Sequence, residues 1–291
     1  WDQQYDNCIK ECDKVLADEN LSLVKAEDMY NQVFYKGNST ESIFELQFDD
    51  NVQVNYATRY QYGYSGMTNG FLSFPSVLVK GQYSPFNFSI GNGATESVND
   101  YRYKDFIVNN PSVGYYRIFK YAGVRRTESA SGETSDYTYR SNTSNWIVYR
   151  LSDVILMKAE AVLQRDKEAG IAEAISLVNK TYHRSNPDAD TLNTGEYSGL
   201  SEVESLVLRE RQRELMFEGK RWFDLMRLAR RQNDPSPLIS YVGKTTSSSK
   251  ALGKMSSMDA LYWPIAKTEL ESNPKLKQNP FYETTSSSSS N

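Results

Sequence analysis

Between Trp146 and Arg231 the apolar residues recur at helical spacing, and this stretch, more than any other, constrains the fold. Val148, Leu151, Ile155, Ala159 and Val162 form one stripe, which predicts a helix from Ile147 to about residue 165. Gly170 punctuates it, and Ile171, Ala174, Ile175, Val178 and Tyr182 form a second stripe closed by Asn186-Pro187-Asp188. Two stripes with a short joint predict an antiparallel helical hairpin. Ser201 and Glu204 have the spacing of a capping box and predict the start of a third helix. That helix should run to about Glu218, where Gly219 permits a bend. Trp222, Leu225, Met226 and Ala229 make a fourth stripe. Two hairpins of about 35–40 residues each have the geometry of tetratricopeptide-type repeats.

The preceding third of the chain follows a different grammar. Residues 49–145 are rich in Gly, Asn, Ser and Tyr and sustain no helical period; 13 of the 21 tyrosines lie between Tyr56 and Tyr149. Loops of this length inside a compact protein are functional or disordered, and the aromatic content argues for order. Long ordered loops, short strands and one helix near Ser76–Lys80 are expected. Upstream, residues 1–17 and 26–36 read as helices, the second ended by Gly37-Asn38-Ser39. Phe44, Leu46 and Phe48 alternate with polar residues and predict a strand. The expected organisation is therefore a helical remnant and first strand over 1–48, an aromatic lobe over 49–145, helical hairpins over 146–231, and a C-terminal loop with an extended tail over 232–291.

Catalytic motifs are missing from this sequence. Its single histidine, His183, follows a helix beside Arg184 and has no nucleophile motif to serve. Gly91-Asn92-Gly93 lacks the third glycine and helix start of a dinucleotide fingerprint. No phosphate-binding loop or calcium loop occurs. Cys8 and Cys12 fall on one helix face, which suits either a half-site for a soft metal or two plain thiols; an i,i+4 disulfide fits a helix poorly. Catalytic, metal and cofactor sites are thus all expected to be absent. A net charge of −4 favours neither nucleic acid nor an anionic membrane. No run of 18 apolar residues is present, so no spanning helix is expected. The alternating run Arg209-Glu210-Arg211-Gln212-Arg213-Glu214 largely neutralises itself, and reads as a solvated face or as interhelix pairing.

The remaining constellation is aromatic. Tyr60, Tyr62 and Tyr64 recur at period two, followed by Phe71, Phe74 and Tyr83, with Arg59 and Asn69 among them. A sugar ring packs its C–H face on an aromatic plane while amides and guanidinium groups bind its hydroxyls. Peptides use similar anchors, and a strand face or small satellite core produces the same pattern. Arg59, Tyr60, Tyr62, Tyr64, Asn69, Phe71, Phe74 and Tyr83 are the candidate ligand-binding residues.

Several segments resemble a known family. Tyr149–Ala161 is similar to the "RLADVLLMYAEA" helix of the SusD/RagB family, and Arg209–Leu225 to its "RERRREL" and "FEG-x-RWFDL" segments. Leu261-Tyr262-Trp263-Pro264-Ile265, Glu269-Leu270, Asn273-Pro274 and Gln278-Asn279-Pro280 resemble its closing segment, with Ala266 in place of a proline and Phe281 in place of a frequent glycine. Ile43–Phe48 looks like a family strand. The resemblance implies a mainly α, SusD-like fold in which tetratricopeptide-type hairpins support a loop-rich ligand lobe with short strands. It implies a surface-exposed lipoprotein of the outer membrane in Bacteroidetes that captures oligosaccharides for import through a SusC-like TonB-dependent transporter. The alternatives are an oligopeptide-binding member, or a protein-binding scaffold without a small ligand. Family members are longer and carry a lipid-bearing cysteine at their start. Trp1, in mid-pattern and without Met, reads as the start of a fragment or mature product, and Cys8, inside a helix pattern, does not match that anchor.

Overall fold

The computed structural model describes residues 3–56, 58, 64–65, 70–71, 87–89, 95–97, 100–110, 115–121, 124–128, 134–139, 143–243 and 248–283. It divides into two compact units, Trp1–Gly219 and Lys220–Asn291.

The first unit is built on helices. Helix α1 (Tyr5–Leu16) packs along α4 (Leu151–Asp166), and α4 packs along α5 (Ile171–Ser185). A 3-10 turn, Lys167–Gly170, joins α4 to α5. Helix α6 (Leu200–Leu215) lies against both. Most of the stripe residues are buried: Leu151, Ile155, Ala159, Ala174, Ile175, Val178 and Tyr182 share one core with Val203 and Val207 of α6, Val162 packs with Ile9 and Ala161, and Val148 and Ile171 are half-buried. Burying a Leu or Ile side chain contributes about 1.5–3 kcal/mol.

Two boundaries differ from the sequence reading. Residues Trp146–Arg150 form strand β10 rather than the first turn of a helix. Their partner is β1 (Ser42–Leu46), about a hundred residues away in sequence, in antiparallel register Glu45↔Ile147 and Leu46↔Trp146. The Ser201/Glu204 capping box does not form. Helix α6 starts at Leu200, so Ser201 already lies inside the first turn, and Glu204 instead accepts a hydrogen bond from Gln164. The N-cap is Gly199, with no side-chain cap; the Glu202 carboxylate reaches past it to accept from the Ser198 N–H at 2.7 Å, and Glu168 accepts from the Leu200 N–H at 3.4 Å.

Helix α2 (Ala26–Met29) continues as a π-helical turn, Tyr30–Lys36, and stops at Gly37. Gly37 has φ +73°, and a Cβ there would lie 2.6 Å from Asn145 Nδ2 and 3.0 Å from Glu45 Oε2. Those two groups are themselves hydrogen-bonded at 2.9 Å, and Glu45 also accepts from the Asn38 N–H at 3.0 Å, which fastens the turn to the β1–β10 ribbon. Gly37→Ala is therefore expected to lower stability by about 1–3 kcal/mol, read as a shift of the urea midpoint at unchanged slope.

The lobe contributes four further two-stranded antiparallel ribbons among the described residues. They are β2 (Tyr64–Ser65) with β3 (Gly70–Phe71), β4 (Asn87–Ser89) with β5 (Thr95–Ser97), β6 (Ile107–Asn110) with β7 (Tyr115–Ile118), and β8 (Val124–Glu128) with β9 (Thr134–Tyr139). A helix, α3 (Tyr101–Phe106), lies where the sequence reading placed loop. The helix expected near Ser76–Lys80 lies outside the described residues. Phe106, Phe119 and Tyr121 pack with Tyr30 and Phe34 in an aromatic core: Tyr30 and Phe119 centroids are 4.6 Å apart, and Phe34 meets Phe106 edge-on at 5.4 Å.

The second unit has its own small core of Leu225, Met226, Ala229, Leu238 and Leu261. It comprises α7 (Arg221–Gln232), α8 (Ser236–Gly243), α9 (Ser249–Lys254), a 3-10 turn at Met258–Leu261, α10 (Lys267–Ser272) and α11 (Pro280–Glu283). The side chain of Gln278 closes the segment by bonding both the N–H (3.0 Å) and the C=O (2.9 Å) of Ile265.

Candidate functional site

Of the eight candidate ligand residues, Arg59, Tyr60, Tyr62, Asn69, Phe74 and Tyr83 lie outside the described residues. Tyr64 and Phe71 are described in backbone: they are direct partners in the β2–β3 ribbon. The described geometry concerns how the segment that follows these residues is fixed to the helical frame.

That attachment is ionic and buried. Arg102, on α3, is fully buried and reaches three carboxylates: Asp100 at 2.7 Å, Glu210 at 2.7 Å and Glu214 at 2.8 Å. Arg150, at the joint of β10 and α4, meets Glu214 at 2.6 Å, Glu218 at 2.8 Å and Glu41 at 3.0 Å. Arg184, from the last turn of α5, meets Glu214 at 2.5 Å and Glu41 at 2.8 Å. Arg213 pairs with Glu210 at 2.9 Å, one turn away on α6. Glu214 is the hub, gripped by three arginines. Buried charge is tolerable only when paired and hydrogen-bonded, and here Arg102, Lys120, Arg150, Arg184 and Arg213 are matched by Glu41, Asp100, Glu210, Glu214 and Glu218.

Lys120 makes the second attachment. Its ammonium donates to Glu218 Oε1 at 2.5 Å and to the carbonyls of Glu214 and Met216 at 2.8 and 3.0 Å. It also sits 4.0 Å from the Phe106 ring centroid and 4.6 Å from that of Phe34. The two carbonyls stand at the C-terminal end of α6, where backbone acceptors lack helical partners, so the lysine caps that helix. Phe217 (φ +66°) and Gly219 (φ +74°) both take left-handed conformations, and the tight turn between them holds Glu218 inward at 3% exposure.

The charged run on α6 is thus no solvated face: Glu210, Arg211, Arg213 and Glu214 are all buried. Of the two sequence readings, interhelix pairing is the one observed. Arg211 carries it further, lying 3.0 Å from Asp153 on α4. Sequence reasoning missed Asp100, Arg102, Lys120 and Glu41 as partners. The one available signal was the density of arginines and glutamates at core-facing positions of a helix.

The local field sets the protonation states. Burial pushes the Glu214 carboxyl up, but Arg184, Arg150 and Arg102 outweigh it and hold the group well below the usual carboxylate range. Glu218 is likewise raised by burial and brought below its ordinary value by Arg150 and Lys120. Burial lowers Lys120 to about 8, with Glu218 opposing the shift. Glu214 and Glu218 are surrounded by cations and held ionised, so neither is poised as a general acid or base. Because both glutamates titrate lower folded than unfolded, the unfolded chain binds their protons first as pH falls. Their contribution to stability is full above the ordinary value of 4.5 and is lost below it. Urea midpoints should therefore fall steeply below about pH 4.5, and Glu218→Gln should flatten that slope.

Among the described residues, no group of three His, Cys, Asp or Glu side chains is placed to hold a metal ion. His183 lines an open cleft of about 530 Å³ with Leu16, Leu21, Leu23, Leu151 and Ile155.

Comparison with known proteins gives a consistent picture. The SusD family model matches residues 83–282. SusD-like protein P2 of Formosa agariphila is 33% identical over 129 residues, which is 43% of this chain and 23% of that protein. A SusD homologue of Bacteroides thetaiotaomicron superposes with a TM-score of 0.65 at 20% identity, over 96% of this chain and 54% of that one. Surface glycan-binding protein A of the same organism gives 0.61 at 19% identity, over 95% and 59%. The chain spans little more than half the length of these solved relatives.

Proposed function

The chain belongs to the SusD family, and on that premise we propose that it captures oligosaccharides at the cell surface without making or breaking covalent bonds. The match over residues 83–282 carries this reading, because it includes much of the aromatic lobe together with the helices that hold it. The likeness to a surface glycan-binding protein supports a sugar as the ligand class.

The mechanism is passive. Tyr60, Tyr62 and Tyr64, with Phe71, Phe74 and Tyr83, offer ring planes to the C–H faces of sugar units, while Arg59 and Asn69 orient hydroxyls. Each stacked ring contributes about 0.5–1.5 kcal/mol beyond area burial. The buried ionic lattice serves the site indirectly: Asp100, Arg102 and Lys120 tether the lobe to α6 with a geometry that cannot slide without exposing unpaired charge. A rigid base of this kind reduces the ordering cost of binding.

Transfer of the ligand to a SusC-like TonB-dependent transporter, and attachment to the outer membrane through a lipidated N-terminus, belong to the same proposal and rest on family membership. No helix among the described residues is long and apolar enough to cross a membrane. Electrophoresis through gels containing candidate polysaccharides tests capture: migration of the chain should be retarded by at least one of them, and the polysaccharide should be recovered uncut. Uniform mobility in every gel, or shortened sugar chains, would remove the reading.

A further inference from the structure

Helix α1 carries a feature that ligand capture does not use. Cys8 and Cys12 are one helical turn apart, so they share a face. Neither takes part in a disulfide. Cys12 is 5% exposed, while Cys8 is half-buried against Ile9, Ala161 and Val162, leaving one thiol covered and the other reachable from solvent. A disulfide between them would require the Cβ atoms to converge further than a regular helix allows. A bridging atom that spans two sulfurs removes that obstacle.

The surroundings decide which bridging atom fits. Zinc needs about four ligands, and no third His, Cys, Asp or Glu is in place among the described residues. A copper(I) bis-thiolate carries a net negative charge, which would have to be buried beside Cys12. Contact with Cys8 and burial both push the Cys12 thiol upward, so the neutral form is favoured. An uncharged dithiolate product meets no such penalty.

We propose that Cys8 and Cys12 form a dithiol site for monosubstituted trivalent arsenicals, R–As(OH)2. Two As–O bonds break and two As–S bonds form. Each thiol proton leaves with one hydroxide as water. Arsenic stays trivalent, so neither oxidant nor reductant takes part. The product is a ring that staples one turn of α1 at its contact with α4.

The test is titration of the reduced chain with phenylarsonous acid, followed by intact mass and by free-thiol assay. One equivalent should give a single adduct that has lost two waters, with both thiols consumed. The melting temperature should rise, and a small vicinal dithiol should release the arsenical. Cys8→Ser and Cys12→Ser should each bind about 100-fold more weakly, because the second bond no longer forms within one molecule. Should Cys12→Ser unfold, Cys8→Ser, at the half-buried position, still decides the matter. Equal affinity of wild type and Cys8→Ser, uptake of two equivalents, or no adduct would each overturn the assignment.

Discussion

Glu214→Ala is expected to be the most damaging single substitution in the chain. The carboxylate it removes lies between Arg102, Arg150 and Arg184, all nearly or fully inaccessible to solvent. Arg102 keeps Asp100 and Glu210, and Arg150 keeps Glu41 and Glu218, but five cations are then left facing four carboxylates in a region closed to water. Breaking a buried pair costs about 3–5 kcal/mol, against a typical total of about 5–15 kcal/mol for a domain. Equilibrium urea unfolding should show a large loss of midpoint, and in the severe case no folded baseline at 37 °C. The exposed pair Lys267–Glu271, 3.6 Å apart, is the control: Glu271→Ala should shift nothing measurable. A small shift for Glu214→Ala would mean that the lattice is hydrated and weak, and that the lobe is held by its aromatic core alone.

The second large effect concerns the ligand. Replacing Tyr60, Tyr62 and Tyr64 together by alanine removes three stacking planes, worth about 1.5–4.5 kcal/mol in sum, or roughly 10- to 2000-fold in affinity. These three rings are proposed to lie on the ligand rather than in the core, so the unfolding midpoint should barely move. A parallel Phe119→Ala variant, which opens the aromatic core, should do the reverse and lower stability by about 3–5 kcal/mol. The contrast between these variants separates rings that grip from rings that pack. An unchanged dissociation constant in the triple variant, with the fold intact, would assign capture to other residues.

How much of this was legible in the sequence depends on how local each signal is. The stripes on α4 and α5 fix helices because their information is contained within a few turns, and Phe44 and Leu46 mark β1 for the same reason. Trp146–Arg150 misled because Val148, Leu151 and Ile155 also fit a helical period. What makes it a strand is hydrogen bonding to β1, which no local window contains. The run on α6 looked self-neutralising because Glu210 and Arg213 do pair. The partners that bury the run, Arg102, Arg150 and Arg184, come from three separate elements. Ser201 failed as a cap by a shift of two residues, since the N-cap is Gly199 and Leu200 already belongs to the helix. Family membership was readable from short motifs, above all Arg209–Leu225. The structure gives those motifs a physical reason, because a hub carboxylate facing three arginines tolerates little change.

Capture without chemistry is the property on which the proposed function depends. Isothermal calorimetry of this chain against defined oligosaccharides, with oligopeptides of similar size as a second panel, addresses it directly. The expected result is saturable heat with a subset of the sugars, at one ligand per chain, and quantitative recovery of the sugar at its original length. Heat with the peptides alone would transfer the site to the other ligand class, whereas silence in both panels, or recovery of cleaved sugar, would contradict the account.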